Sequence, residues 1–259
     1  MAIYDVPQLS LNRLVLVVTA SLSFASFAGI ADAPCRLYVI GDSTAAAYPE
    51  DRRPLAGWAE ALQEHFDPAR VVIEDKARSG RSSKSFLEEG AWAPIRDALK
   101  PGDYVFIQFG HNDSKKEDPK RYTEPDSTYR QFLTTYVNDA RAKGAIPVLL
   151  TSINRNHWDE NKALVDTMGA YPDAVRALAK DLDVPLIDLH QRTHDLFQSL
   201  GPDATRGLFL YLAKGESPNY PDGKEDGTHL CEEGARAVSK LVVDTIKEMS
   251  LPLADAIKK

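Results

Sequence analysis

Four short clusters in this chain carry the residue types that acyl transfer requires. They read Gly41-Asp42-Ser43-Thr44, Ala77-Arg78-Ser79-Gly80-Arg81-Ser82, Gly110-His111-Asn112-Asp113 and Asp226-Gly227-Thr228-His229. A serine hydroxyl is a weak nucleophile until an imidazole accepts its proton, and the imidazole works best when a carboxylate fixes its tautomer. Ser43, His229 and Asp226 supply these groups, the last two from one loop. A tetrahedral intermediate also needs donors for its oxyanion. The backbone N–H groups of Ser43 and Gly80 and the side-chain amide of Asn112 are the candidates, and a glycine lets backbone approach a substrate without an intervening side chain. Taken singly, the clusters have plainer readings: Ser43-Thr44 as a helix cap, Asp226-Gly227 as a turn, Asn112-Asp113 as loop polarity. Their joint occurrence, at places the fold should bring together, favours catalysis.

Those places are set by the pattern of elements. Short apolar runs at Arg36–Ile40, Val71–Glu74, Tyr104–Phe109, Pro147–Leu150 and Pro185–Ile187 read as strands. Between and after them, Gly57–Phe66, Ser85–Lys100, Tyr129–Lys143, Pro172–Leu182, His190–Leu200 and Glu232–Met249 read as helices, and Lys214–Gly227 as a Pro/Gly-rich loop. Such alternation predicts βαβ units and a parallel sheet covered on both faces. Ligands of such sheets gather at the carboxyl ends of the strands. The first three clusters come directly after strands and the fourth precedes the last helix, so all four should meet at one edge.

Composition narrows the class further. The chain has 259 residues, 43% of them hydrophobic, with Gly and Pro near average usage, which excludes collagen-like and disordered readings. A formal charge of −7 argues against a nucleic-acid partner that needs a net basic surface. Two cysteines cannot staple a disulfide-rich scaffold. At the amino terminus, Arg13 precedes an uncharged stretch, Leu14–Ile30, with Ala31-Asp32-Ala33 after it. Residues 1–33 therefore read as a secretory signal peptide, cut after Ala33 or near Ala28, with residues 34–259 as one catalytic domain. The stretch is also at the lower edge of a membrane-spanning length. Its small residues and the scarcity of Lys and Arg beyond it favour cleavage, hence a secreted or periplasmic protein with no stable membrane association afterwards. Export would permit a Cys35–Cys231 disulfide. However, Cys35 opens the first strand about 26 Å of extended chain before Ser43, whereas Cys231 adjoins His229, so two unpaired, mostly buried thiols are expected.

The clusters, in this order, resemble the SGNH (GDSL-type) hydrolases, whose named blocks match Ser43, Gly80, Asn112 and His229, with Asp226 as the acid of an Asp-x-x-His pair. GDST, GRSSKSF with Glu88, Glu89, Gly90 and Trp92 beyond it, QFGHND and KEDGTH are similar to the rhamnogalacturonan acetylesterase branch, carbohydrate esterase family twelve. Asp159–Tyr171, VPLIDLH and Gly215–His229 also resemble its bacterial members. The likeness runs over residues 36–249. It implies an α/β fold, a three-layer α/β/α sandwich on a five-stranded parallel sheet in flavodoxin-like order. It also implies removal of acetyl groups from pectic polysaccharide through an acetyl-enzyme, without metal or cofactor. There is no G-x-S-x-G elbow, which separates the chain from α/β-hydrolases.

An acetylated polysaccharide or oligosaccharide is the expected partner. Pectic chains are anionic while this protein is acidic, so binding should depend on local cations. Arg78, Arg81 and Lys84 come after the second strand, and Arg155 and His157 after the fourth; of these, Arg155, His157 and Arg81 are the substrate-binding candidates. Trp158 and Tyr220 are available to stack on sugar rings. Acetyl xylan and small aryl or lipid esters are the alternative substrates, although the polar loops at 111–127 and 214–228 favour a polysaccharide. Asp42, Asn112, Asp113, Asp226 and His229 also have the types of a divalent-metal phosphoesterase site, but the further histidines such a site needs are missing. A non-enzymatic carbohydrate-binding module would leave the convergence of serine, Asp-x-x-His and oxyanion donors unexplained.

Overall fold

Alternate residues of the first strand serve opposite cores, and that division organises the molecule. The computed structural model describes residues 34–258; the signal-peptide expectation for residues 1–33 lies outside them. Strands β1 (Cys35–Gly41), β2 (Val71–Asp75), β3 (Tyr104–Gln108), β4 (Ile146–Leu150) and β5 (Leu186–Ile187) form one parallel sheet in the order β2-β1-β3-β4-β5. This is the flavodoxin-like order expected. Leu37 and Val39 face one core with Phe106, Val148 and Leu150, and Tyr38 and Ile40 face the other with Val105, Ile107 and Leu149. Both faces are thus apolar, as a covered parallel sheet demands.

Helices α1 (Ser83–Glu88), α2 (Ala93–Ala98), α3 (Arg130–Ala142) and α4 (Tyr171–Asp181) cover the second face through Phe86, Ile95, Tyr136, Val137 and Leu178. Helices α5 (Leu189–Arg206) and α6 (Glu232–Glu248) cover the first through Phe197, Val238, Val242 and Ile246. The three layers are therefore present. Both thiols are unpaired, Cys231 buried and Cys35 half-buried.

The sequence expectations err at some elements for identifiable reasons. The expected helix over 57–66 is turns and a single 3-10 turn at Leu62–His65. Trp58 and Ala59 N–H groups bond the Thr44 and Ala45 carbonyls at 3.0 and 3.2 Å, so tertiary partners displace helical ones. The expected helix over 85–100 breaks into α1 and α2 at Gly90, whose φ of 76° is left-handed. The loop expected at 214–227 ends early: β6 (Phe209–Leu212) pairs antiparallel with β7 (Lys224–Leu230), so Asp226, Gly227 and His229 lie on a strand. Alternation on that strand is hidden because Lys224, Glu225, Asp226 and Gly227 present no apolar residue to mark it.

Candidate active site

The parallel register of β1 with β3 pairs Gly41 with Gln108, so the chains leave the sheet side by side and carry Ser43 and Asn112 to the same edge. The Ser43 turn is pinned locally. Asp42 Oδ1 accepts from Thr44 N at 2.9 Å and Thr44 Oγ1 at 2.8 Å, and the Ser43 carbonyl accepts from Tyr48 Oη at 2.8 Å. Burial pushes the Tyr48 phenol up to about 12, so it stays a donor. Opposite, the β6–β7 hairpin brings in the base. His229 Nε2 stands 3.0 Å from Ser43 Oγ, and His229 Nδ1 stands 2.8 Å from Asp226 Oδ2.

Asp226 Oδ1 accepts from the backbone N–H groups of Thr228 and His229 at 2.9 and 3.0 Å. Burial disfavours its charge, but the hydrogen bond and charge of His229 with these N–H groups hold it well below the usual carboxylate range. A carboxylate so held keeps its charge across the neutral range. It fixes the ring with Nδ1–H toward Asp226 and leaves Nε2 free to accept the Ser43 proton. These distances make a continuous hydrogen-bonded chain from hydroxyl to carboxylate.

The expected oxyanion donors adjoin it. Ser43, Gly80 and Asn112 all line a cavity of about 350 Å³ that also holds Asp226 and His229. The Ser43 and Gly80 N–H groups donate to no other backbone among the described residues. Asn112 is oriented from both ends: its Nδ2 donates to the Arg81 carbonyl at 3.0 Å, and its Oδ1 accepts from Arg121 at 3.3 Å. Gly80 has φ of 79°, and a Cβ there would meet nothing within 4 Å. Glycine is therefore required by the left-handed backbone rather than by crowding from the protein.

The substrate-binding expectations fare unevenly. Arg155 lines the cavity, its guanidinium steadied by Thr167 Oγ1 at 3.1 Å. Burial pushes it down, with the Asp42 charge acting in the other direction. His157 does not line the cavity and is exposed, because the loop after β4 turns there to pair its carbonyl with Val165 N. Arg81 contributes its backbone carbonyl to Asn112, while its guanidinium turns to Glu89 at 2.9 Å. Trp158 and Tyr220 are absent from the lining, and their polar atoms bond Asn156 Oδ1 and the Arg52 carbonyl. Sequence reasoning missed Lys115 and Arg121, which line the cavity from the loop after β3. Burial, then the charges of Arg121 and Arg155, push the Lys115 ammonium down. Their signal was position: cations within a few residues of Asn112, at the same sheet edge.

The acids and amides that types alone made candidate metal ligands have other occupations. Asp113 accepts from Ser83 N and Thr123 Oγ1 at 3.1 and 2.9 Å, and Asp42 from Thr44. Among the described residues, no three His, Cys, Asp or Glu side chains are grouped to hold an ion.

Comparison with known proteins agrees with this geometry. Residues 39–237 match the model of the GDSL-like Lipase/Acylhydrolase family. The chain is 46% identical over 222 residues to rhamnogalacturonan acetylesterase RhgT of Bacillus subtilis, covering 86% of this chain and 94% of that one. It is 37% identical to the probable rhamnogalacturonan acetylesterase YesY of the same organism, covering 86% and 97%. Among solved structures, the YxiM protein of Bacillus subtilis superposes with a TM-score of 0.73 at 26% identity, and this chain spans 85% of itself and 58% of that longer protein. The fold order, the serine–histidine–aspartate chain and these matches together establish that the chain belongs to the GDSL-like lipase/acylhydrolase family.

Proposed function

We propose that this protein is a serine ester hydrolase that removes O-acetyl groups from acetylated rhamnogalacturonan. The observation that carries the substrate class is the wall of cations around the catalytic serine. Lys115, Arg121 and Arg155 share the cavity with Ser43, and neither Lys115 nor Arg155 has a carboxylate within 4.0 Å among the described residues. Partly buried like charges without counter-ions are costly, and an anionic sugar entering the cavity relieves that cost. A neutral xylan offers no such group. The names of RhgT and YesY support the same substrate.

The distances dictate the chemistry. Ser43 Oγ attacks the acetyl carbonyl as His229 Nε2 takes its proton, and Asp226 stabilises the imidazolium. The carbonyl oxygen, now an oxyanion, accepts from Ser43 N, Gly80 N and Asn112 Nδ2. Collapse returns the His229 proton to the departing sugar oxygen and leaves acetyl-Ser43. Water, deprotonated by His229, then attacks the acetyl-enzyme, and Ser43 leaves with the proton as acetate forms.

Acetate release tests this, with acetylated rhamnogalacturonan, acetylated xylan and para-nitrophenyl acetate as substrates. Wild type should favour the pectic polymer, and Ser43→Ala should abolish release from all three. Joint replacement of Lys115 and Arg155 by Ala should raise KM on the pectic polymer about tenfold and leave para-nitrophenyl acetate unaffected. Equal turnover of xylan and pectin would overturn the substrate, and an active Ser43→Ala would overturn the mechanism.

The same proposal has the enzyme working outside the cytoplasm, with residues 1–33 as its export signal. Arg13, the uncharged run from Leu14 to Ile30 and the small residues after it support this. Amino-terminal sequencing of the mature protein should begin after Ala28 or Ala33; a retained Met1 would refute it.

A further inference from the structure

At the wall of the cavity lies a second imidazole–carboxylate pair that the mechanism above does not use: His111 is among the lining residues, and Asp42 lies behind it. Asp42 is fully buried, and its Oδ2 has no hydrogen-bond partner among the described residues. His111 is 3% exposed, and neither ring nitrogen has a partner there. The two groups face each other, His111 Nδ1 standing 3.4 Å from Asp42 Oδ2. A buried carboxylate oxygen and a buried ring N–H with no other outlet are held to one another, because separating them leaves both unsatisfied.

Their places in the chain give the pair a consequence. Asp42 immediately precedes Ser43, and His111 immediately precedes Asn112. Asp42 is fixed to the nucleophile turn through Thr44. His111 is delivered by Gly110, where φ is 146° and a Cβ would stand 2.2 Å from Ser152 Oγ, so the loop has little room to take another path. A contact between residues 42 and 111 therefore ties the turn that aims the nucleophile to the loop that aims an oxyanion donor. Apart from this pair, Asn112 is oriented from the side of Arg81 and Arg121, which does not involve the Ser43 turn.

We propose that His111 and Asp42 are positioning residues, a buried clamp that sets the spacing between Ser43 Oγ and the Asn112 amide. The proposal rests on the ester-hydrolase reading of the site. Without the clamp, Ser43 still reaches His229, but the oxyanion forms out of register with its side-chain donor.

The test uses para-nitrophenyl acetate, which makes no demand on the sugar-binding wall. His111→Leu keeps volume and removes the N–H; it should lower kcat about 100-fold, the cost of a misplacement of roughly 1 Å, with KM changed less than about threefold. His111→Asn puts an amide N–H near the Nδ1 position and should recover most of that loss. In an Asn112→Ala background, His111→Leu should cost less than about fivefold, because the donor it positions is already gone. His111→Phe, which removes both ring nitrogens and keeps an aromatic ring, should repeat the kcat loss and so serves if His111→Leu does not fold. Additive losses in the double variant, or a His111→Asn no better than His111→Leu, would overturn the clamp. Ser43→Ala, assayed alongside, separates that outcome from failure of the esterase reading itself: activity surviving in it would overturn both.

Discussion

The nucleophile side and the base side of the cavity are held by different kinds of structure. Ser43, Asp42, Asn112 and Asp113 are between 0% and 6% exposed and sit on turns leaving adjacent strands of the central sheet. Asp226 and His229 have side chains 18% and 30% exposed and come from a two-stranded hairpin outside that sheet. The hairpin is anchored at its base by Phe209 and Leu230, both buried in the first core, and by Leu210 against Ala46, Tyr48 and Leu55. Nearer the catalytic pair it is held by Asn156 N to the Gly227 carbonyl at 2.7 Å and Ala56 N to the Leu230 carbonyl at 3.1 Å. The difference extends to charge. Asp226 is held down by its histidine, whereas burial pushes Asp113 up to about 7 despite the Ser83 and Thr123 bonds. On the proposed mechanism, attack geometry is thus inherited from the edge of the central sheet, while proton transfer depends on how a hairpin outside that sheet is placed.

That contrast predicts unequal losses. On the hairpin side, His229→Ala removes the base that reaches Ser43 and should lower kcat about 10⁴-fold or more. On the sheet side, Asn112→Ala removes one of three oxyanion donors and should lower kcat about 10²- to 10³-fold. Steady-state kinetics on para-nitrophenyl acetate check both, and a reversed order would break the comparison.

Docking is probed next by Gly227→Ala. Its Cβ would lie 2.7 Å from Tyr211 Oη and 2.9 Å from the Asn156 carbonyl, so the hairpin must shift. The expected result is a fall in kcat of about tenfold through displaced His229, while the rate of Ser43 modification by a small fluorophosphonate falls in parallel. Unchanged kinetics would mean that the hairpin tolerates displacement at this contact.

The smallest effect lies in stability. Asp113 has a folded-state pKa above its unfolded value, so the native protein binds the extra proton between about pH 4 and about pH 7. Its contribution is present at the acid end of that window and is lost as pH rises through it. Asp113→Asn cannot titrate. The melting temperature of wild type relative to this variant should therefore decline from about pH 4 to about pH 7. A difference independent of pH would show that the Ser83 and Thr123 bonds keep Asp113 ionised throughout.

Most of the site was legible because catalytic types sat at predictable places. Short buried strands announce themselves by apolar runs, and the residues just beyond each strand must gather at one edge, so Ser43, Gly80 and Asn112 could be grouped before any coordinates. The Asp226–His229 pair was legible as spacing, but the strand carrying it was not, since Lys224–Gly227 presents no apolar alternation. Arg81 and His157 lie outside the cavity lining for a related reason. Position after a strand places a residue near the edge, whereas side-chain direction depends on partners such as Glu89 that lie elsewhere in the chain.

By itself, then, the amino-acid sequence determined the layer order, the identity of the catalytic types and the edge where they meet, because hydrophobic periodicity and residue chemistry are local properties. Tertiary structure alone decided which cations face the cavity, that the base rides on a hairpin, and that Asp42 and His111 meet at the cavity wall. Each of these rests on contacts between segments distant along the chain, where burial and the need to satisfy every polar group select one arrangement among many that local sequence permits.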